Sequence, residues 1–258
     1  MARNRNSSRR RRRGRFSFLL KLLCVLLIAG ATVAALTLFF KVQSVVVHGS
    51  ARYSEEEVIA ASGIQLEDNL FLLNKYSAAQ AIFEKLPYVA ETSINRKLPD
   101  TIVITVRECA AAAGIVTPEG IWLISESGKL LERTDALPSG CPGIVGVTPE
   151  TPVPSAQLFL GEDKTLTAET LLDLVQTAGN YSMLADIGSI DLSNAEAIIF
   201  TYLDRFTVRL PWDSDFDYIS RSVQDVVNGL ESNETGEINY MLLKSKGETH
   251  FIPSAPPA

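Results

Sequence analysis

Residues 88–108 read YVAETSINRKLPDTIVITVRE, two strand-like runs separated by the sequence KLPD at 97–100. Pro99 and Asp100 suit a turn, because proline fixes its own φ and the aspartate side chain bonds to nearby main-chain amides. After the turn, β-branched residues recur at every second position, which is the period of a half-buried strand; these are Ile102, Ile104 and Val106. The stretch therefore predicts a β-hairpin with one face in a core.

A further strand and a short helix are predicted before this hairpin. The β-branched run at 45–47 ends at Gly49, which is typical of a strand. The sequence Ser54-Glu55-Glu56-Glu57 has the form of a capping box, in which Ser54 bonds the amide of Glu57 and the Glu57 side chain reaches back. Gly63 is a suitable residue to end this helix. We interpret the three glutamates as a helix start and not as a cation site.

A second helix is predicted from Lys75 to Leu86, where Pro87 stops it. Its apolar residues recur at i, i+3, i+4 and i+7, which makes one stripe that faces a sheet. The order is therefore β-α-α-β-β, with both helices on one face of a three-stranded sheet. The predicted core of this unit consists of Val45, Val47, Ile82, Phe83, Ile102 and Ile104.

The N-terminus predicts a membrane anchor. Residues 22–40 contain no charged side chain, and at ~1.5 Å per residue they form a helix of roughly 28 Å, close to the ~30 Å core of a bilayer. Nine Lys or Arg and no acid lie in residues 1–21, whereas only Lys41 and Arg52 follow the span closely. The positive-inside rule then places the N-terminus in the cytoplasm and the rest of the chain outside.

Two other interpretations of this segment are weaker. A cleaved signal peptide is conceivable because Ala29-Gly30-Ala31 resembles a cleavage site, but cleavage there would leave an apolar stub, and signal cores usually span only ~7–15 residues. A twin-arginine export signal does not fit the spacing of Phe16 and the leucines after it. We therefore expect a span that is not cleaved.

The remaining chain is acidic. The whole protein has 24 Lys or Arg and 30 Asp or Glu, so about 15 net negative charges lie beyond the basic tail. A body of this charge repels a phosphate backbone, which argues against a nucleic-acid-binding domain.

The basic tail, the span and the β-α-α-β-β unit together resemble the FtsQ/DivIB family of bacterial cell-division proteins, and the unit looks like that family's POTRA domain. The residues that carry this resemblance are in the closing hairpin: Pro87-Tyr88-Val89, Arg96, Leu98-Pro99, Ile102, Ile104, Val106 and Arg107-Glu108. The family commonly has a proline soon after the Arg-Glu pair, where this chain reads CAAAAG, so the resemblance leaves the end of the domain open.

The second half predicts a sheet-rich domain with two helices. Residues 121–124 and 129–131 form a hairpin, and the Pro- and Gly-rich stretch after Thr134 is interpreted as a surface connection. Helices are predicted at 168–183 and 216–230, and strands at 187–192, 197–202, 206–210, 238–243 and 249–252. The order is similar to the β domain of the same family, and the resemblance then extends from Arg9 to Pro253.

The predicted fold class is α+β, a single transmembrane helix followed by a POTRA domain and a β domain. The predicted segments are a basic cytoplasmic tail at 1–18, the transmembrane helix at 19–40, the POTRA domain at 41–109, the β domain at 110–252 and a disordered tail at 253–258.

No catalytic motif is recognisable in the sequence. His48 and His250 lack the spacing of metal ligands, and no nucleophile elbow or phosphate-binding glycine loop occurs. Asp213, Asp215 and Asp217 are interpreted as acids at a helix start, because the glycine and distal glutamate of a calcium loop are missing. We expect no catalytic residue, cofactor, metal site or small-molecule substrate.

The cysteines do not define a disulfide framework. Cys24 lies within the predicted span, whereas Cys109 and Cys141 both follow it. Two cysteines can pair only if the fold brings them together, so the sequence leaves that pairing open.

The last strand is the predicted partner-binding site. No later element follows to cover its edge, and an open edge can accept a strand from another protein. The predicted contacts are Tyr240, Lys244, Thr249 and Phe251, with Tyr240 expected across from Phe251 in a shallow apolar patch. The alternative is that Phe251 points into the core, since alternation over four residues does not determine a face.

The family resemblance implies a non-enzymatic scaffold at the division septum. It implies FtsL-like and FtsB/DivIC-like bitopic proteins as partners outside the membrane. Two competing functions are a membrane-anchored cell-wall hydrolase and a POTRA-bearing protein-assembly factor. A hydrolase needs a cluster such as Ser/Lys or His/Asp/Glu at usable spacing, and an assembly factor has several POTRA copies, neither of which the sequence shows.

Overall fold

The computed structural model describes residues 10–242 and 249–254 of the chain. Contacts between residues divide the chain into two compact units, which are described separately. The first contains Met1–Ala81 and Thr92–Val106, and the second contains Ile82–Glu91 and Arg107–Ala258.

Helix α1, Arg10–Phe39, contains one segment long and apolar enough to cross a membrane. This segment, Phe18–Phe39, has 22 residues, a mean hydropathy of 2.6 and no buried residue. At ~1.5 Å per residue its length is roughly 33 Å, which matches a ~30 Å hydrocarbon core. Its apolar side chains have no protein around them, so the segment has the character of a membrane span.

The β-α-α-β-β order predicted after the span is confirmed. The elements are β1 Ser44–His48, α2 Glu55–Ser62, α3 Lys75–Lys85, β2 Val89–Lys97 and β3 Thr101–Glu108. Their sheet has the order β1-β3-β2, and β1 runs parallel to β3, with Val45 opposite Ile102 and Val47 opposite Ile104.

The predicted capping box of α2 is also confirmed. The Glu57 amide donates to Ser54 Oγ at 3.2 Å, and the Ser54 amide donates to Glu57 Oε2 at 2.8 Å. Gly63 follows the helix with φ 71°, a left-handed conformation that glycine adopts without steric cost.

Most of the predicted core of this sheet is buried, with two exceptions. Val47, Ile82, Ile102 and Ile104 are each less than 9% exposed. Val45 and Phe83 are only half-buried, which corrects the prediction for those two positions. The Phe83 ring faces the Lys129 ammonium, whose nitrogen is 3.6 Å from the ring centre.

Within the described residues, the second sheet has nine strands in the order β12-β11-β10-β9-β8-β7-β4-β5-β6. The strands are β4 Ala113–Thr117, β5 Gly120–Ile124, β6 Leu130–Thr134, β7 Gly143–Val145, β8 Ile187–Asp191, β9 Ile198–Tyr202, β10 Phe206–Leu210, β11 Gly236–Asn239 and β12 His250–Pro253. Two helices, α4 Thr165–Asn180 and α5 Phe216–Gly229, contact each other. Buried residues from both helices and from the strands form one hydrophobic core.

Strands β4 and β7 are adjacent internal strands of this sheet. The sequence predicted a domain boundary just before the residues of β4 and a surface connection at the residues of β7. The register aligns Ile115 of β4 with Ile144 of β7 and Ile190 of β8, and all three are fully buried. A three-residue strand is too short to show a period in sequence. Leu137, from the same connection, packs over Gly114, where an added Cβ would come within 2.4 Å of its Cδ2. The stretch interpreted as a surface connection therefore contains a central strand and the side chain that covers it.

Candidate partner-binding edge

The nine-stranded sheet ends at β6 on one side and at β12 on the other. The start of the β6 edge is covered by the chain itself. The Leu130 amide donates to Ala156 O at 2.8 Å, and the Ser155 amide donates to Leu130 O at 2.8 Å. The Leu158 amide donates to Gly128 O at 2.7 Å, so residues 155–158 continue the sheet beside the start of β6.

The β12 edge is different, because within the described residues β12 pairs with β11 alone. The pair is antiparallel, and the Ser254 amide donates to Thr235 O at 2.8 Å. Main-chain groups of such a strand alternate between its two sides. Ile252 therefore directs its amide and carbonyl to β11, whereas Phe251 directs its own outward. Continued one step before β12, the same alternation is expected to direct the Thr249 amide outward. The open edge thus offers amide donors at two positions, and Pro253 has none to offer.

Phe251 has the second of the two orientations considered from the sequence. It lies opposite Ile238, which is fully buried, and its half-buried ring packs against the core. The ring makes an edge-to-face contact with Phe206, with centres 6.2 Å apart. Its side chain therefore holds β12 to the sheet, while its main chain faces the open edge.

Ile252 is the exposed apolar side chain of this edge, and the sequence interpretation missed it. It lies opposite Glu237, on the face away from Phe251, and is 53% exposed. Alternation along the strand would have indicated it, because an inward Phe251 requires an outward neighbour.

Tyr240 is not part of the surface, which corrects the predicted patch. It is fully buried and follows Asn239, the residue opposite His250, so it does not lie across from Phe251. Its hydroxyl donates to Ser222 Oγ at 2.8 Å, which satisfies the polar atom inside the core. Burial raises the pKa of Tyr240 to about 12.

The two other predicted contacts are Lys244 and Thr249. Lys244 lies outside the described residues. Thr249 is half-buried and immediately precedes β12. Together, β12 and Thr249 form a short edge with outward amides, one exposed isoleucine and an anchoring phenylalanine. An added strand can use such a surface for main-chain pairing on one side and apolar contact on the other.

A buried lysine is the most unusual charged group of the second unit, and sequence reasoning placed it only in a hairpin. Lys129 is 2% exposed. Its ammonium donates to Phe83 O and Val89 O, each at 2.9 Å, and to Leu86 O at 3.4 Å. Burial lowers the pKa of Lys129 to about 8, and the nearby Cys109 acts in the opposite direction. The lysine therefore joins the β5–β6 hairpin to the residues at the end of α3.

The structure shows where the cysteines and aspartates noted in the sequence lie and what they contact. Cys109 and Cys141 are free thiols, and burial raises the pKa of both.

Asp215 caps α5 by accepting from the Tyr218 amide at 3.0 Å, and Asp217 pairs with Arg221 one turn later. The interpretation as acids of a helix start is confirmed for Asp215 and Asp217, whereas Asp213 lies two residues before the N-cap. Over the described ranges no three His, Cys, Asp or Glu side chains are grouped as metal ligands would be.

Comparisons with known proteins agree with this architecture. Residues 40–108 match the family model described as a POTRA domain of the FtsQ type. The cell division protein FtsQ of Syntrophotalea carbinolica is 30% identical over 188 residues, which cover 71% of this chain and 63% of that protein. The cell division protein DivIB of Clostridium tetani is 34% identical over 97 residues, 38% of this chain and 36% of that protein. The chain belongs to the FtsQ/DivIB family.

The similarity is partial in length. FtsQ of Corynebacterium glutamicum is 36% identical over 89 residues, 34% of this chain and 40% of that protein. The matches thus span between about a third and two thirds of these three FtsQ and DivIB relatives. A solved structure, the major extracytoplasmic domain of DivIB from Geobacillus stearothermophilus, is 16% identical with a TM-score of 0.33, covering 49% of this chain and 97% of that domain. The helices and strands of the structure confirm the predicted α+β class, and the family-model match over residues 40–108 confirms the predicted POTRA unit.

Proposed function

We propose that this FtsQ/DivIB family member is a non-enzymatic scaffold of the bacterial division machinery. It crosses the membrane once and binds other bitopic division proteins, FtsL-like and FtsB/DivIC-like, at the β12 edge outside the membrane. The family supports the place in division, since its relatives are named cell division proteins. The binding that we assign to this edge needs no catalytic group, since it acts through main-chain pairing.

One observation carries the choice of the β12 edge over other surfaces. The two ends of the nine-stranded sheet differ, because residues 155–158 cover the start of β6 while Phe251 directs its amide away from β11. An uncovered edge exposes main-chain groups that favour pairing with another chain. Ile252, at 53% exposure, adds an apolar contact beside that pairing line.

The orientation in the membrane follows from the charges around α1. Because basic residues precede the span in large excess, we expect the N-terminus to be cytoplasmic. A reporter that is active only outside the cytoplasm should be active when fused after Pro253 and inactive when fused after Arg13. Activity of the Arg13 fusion, or a mature chain that starts near Thr32, would contradict this topology.

Replacing Thr249 with proline should weaken partner binding by roughly tenfold. The substitution removes one outward amide, worth about 1 kcal/mol, and places a ring where a partner strand would approach. The amides that pair with β11 are unaffected, so the melting transition should stay within about 2 °C of that of the parent. The measurement is quantitative mass spectrometry of FtsL-like and FtsB/DivIC-like proteins that copurify with the solubilised full-length chain.

Thr249→Ala is the matched control, because it shortens the same side chain but keeps the amide. It should retain partner copurification. Equal recovery of the partners with Thr249→Pro and Thr249→Ala would show that this amide does not pair, and would move the binding site away from the β12 edge.

A further inference from the structure

The exposed apolar side chains of residues 42–108 are unevenly distributed. Five large ones are exposed, and we call them the apolar rim: Leu66, Phe71, Leu72, Tyr76 and Leu98. Leu72 and Tyr76 are each 76% exposed, which is costly for side chains of this size in water. Single exposed leucines are ordinary, but a set that gathers at one place marks a contact surface.

The loop that carries Phe71 and Leu72 is docked on the end of α1. Asn69 Nδ2 donates to Leu36 O at 3.1 Å and to Thr37 O at 3.3 Å, and both acceptors lie within the apolar segment. The Leu70 amide donates to Phe40 O at 2.8 Å. These bonds satisfy carbonyls that a helix end leaves without an intrahelical partner, a need that is greater in lipid than in water.

Further contacts fix this loop in place. The rings of Phe40 and Phe71 meet edge to face, with centres 5.0 Å apart. On the other side, Arg96 donates to Leu70 O at 2.5 Å and to Leu73 O at 2.7 Å. The loop is therefore held rigidly between the end of the span and strand β2.

The other members of the rim are also close in the chain to contacts with the residues that follow α1. The Val42 amide donates to Asp68 O and the Gln43 amide to Asp100 O, both at 2.8 Å. Leu66 and Leu98 each precede one of these acceptors by two residues. The β2–β3 turn and the loop before α3 thus both lie at the α1 end of the sheet.

We propose that the apolar rim inserts into the interfacial layer of the bilayer that α1 crosses. The inference rests on α1 as a membrane span and is independent of the β12 edge. Phenylalanine, tyrosine and leucine are among the side chains that enter the boundary between headgroups and acyl chains. We assign a lipid surface as the partner of the apolar rim. The loop that bonds to the end of the span also contains Phe71 and Leu72, so a bilayer around α1 reaches these side chains directly.

Charges around the rim suit a headgroup layer. Lys75 lies beside the Tyr76 ring, with its ammonium 5.1 Å from the ring centre. Lys41 pairs with Glu67 at 2.8 Å, which compensates an acid that lies next to Leu66. Lysines at this level can extend toward lipid phosphates while the apolar groups beside them enter the acyl region.

The opposite end of the same sheet gives an internal comparison. Strand β1 leads away from α1 for five residues, about 16 Å at a rise of ~3.3 Å per residue. The first turn of α2, which follows, presents Glu55, Glu56 and Glu57, and all three are exposed. The α1 end of the sheet thus presents the apolar rim, with the paired Lys41 and Glu67 beside it, whereas the far end presents three exposed carboxylates.

An environment-sensitive dye at position 72 tests the proposal. We would attach the fluorophore NBD to Leu72→Cys and, as the matched control, to Glu56→Cys, in the full-length chain with Cys24, Cys109 and Cys141 replaced by alanine. The protein is reconstituted in vesicles of phosphatidylcholine and phosphatidylglycerol without any partner. The dye at position 72 should emit at shorter wavelength and be quenched several-fold more by 5-doxyl phosphatidylcholine than the dye at position 56.

A second labelling position removes the influence of the dye's own affinity for lipid. With NBD on Leu98→Cys, the double substitution Phe71→Glu/Leu72→Glu should reduce quenching by the doxyl lipid, since the charges lift the rim from the interface. Equal quenching by aqueous iodide at positions 72 and 56 would overturn the proposal. Protection of position 72 from both quenchers would also overturn it, because another protein surface would then cover the rim.

Discussion

Phe206→Ala should lower the free energy of unfolding by about 3–5 kcal/mol, the usual cost of removing a buried phenylalanine side chain. Phe206 is 2% exposed and belongs to the large hydrophobic core of the second unit. The cavity would lie beside Phe251, whose ring meets Phe206 edge to face, so β12 loses an apolar contact in the same substitution. The measurement is a urea or guanidinium unfolding curve of the detergent-solubilised full-length chain.

Phe159→Ala is the matched control for this substitution. Phe159 is 46% exposed, and the main-chain bond that it accepts from the Glu150 amide does not involve its ring. Its replacement should change the unfolding free energy by less than about 1 kcal/mol. A Phe206→Ala effect as small as that of Phe159→Ala would mean that the β9–β10–β11 region is not the packed core described above.

The stability of the chain relative to its Lys129→Met variant should rise between pH 8 and pH 10.4. Burial lowers the pKa of Lys129 in the folded chain to about 8, whereas an unfolded lysine titrates near 10.4. Between these values the unfolded chain binds more protons than the folded chain, so the free energy of unfolding increases with pH. The difference between the parent and the variant should grow by up to about 3 kcal/mol across this window.

The comparison with Lys129→Met isolates this group from others that titrate nearby. Cys109 is replaced by alanine in both proteins, because burial raises its pKa, which gives a contribution of the opposite sign, and because the charge of Lys129 acts on that pKa. Lys97→Met, which replaces an exposed lysine, serves as the control for loss of one positive charge. A difference between the parent and Lys129→Met that stays flat from pH 8 to pH 10.4 would contradict a lowered pKa for Lys129.

Local patterns in the sequence determined the elements whose cause is local. The uncharged run before Phe40 predicts a span because helix length and lipid thickness are sufficient to define one. The capping box at Ser54 and the turn at Pro99 depend on atoms only a few residues apart, so they are present in the sequence itself. The β-α-α-β-β order, and with it the resemblance to the FtsQ/DivIB family, follows from such local patterns.

Tertiary structure decided which strands are central and which side chains are inside. Strand β7 has three residues and no readable period, and it is a strand only because β4 and β8 supply its hydrogen-bond partners. The same holds for the inward Phe251, whose orientation depends on Phe206 in another strand, and for the buried Tyr240, whose hydroxyl finds Ser222 in α5. Lys129 appeared in sequence as an ordinary hairpin residue, and only the carbonyls at the end of α3 make it a buried charge. Each of these outcomes depends on partners distant in the chain, and spacing along a single sequence does not identify such partners.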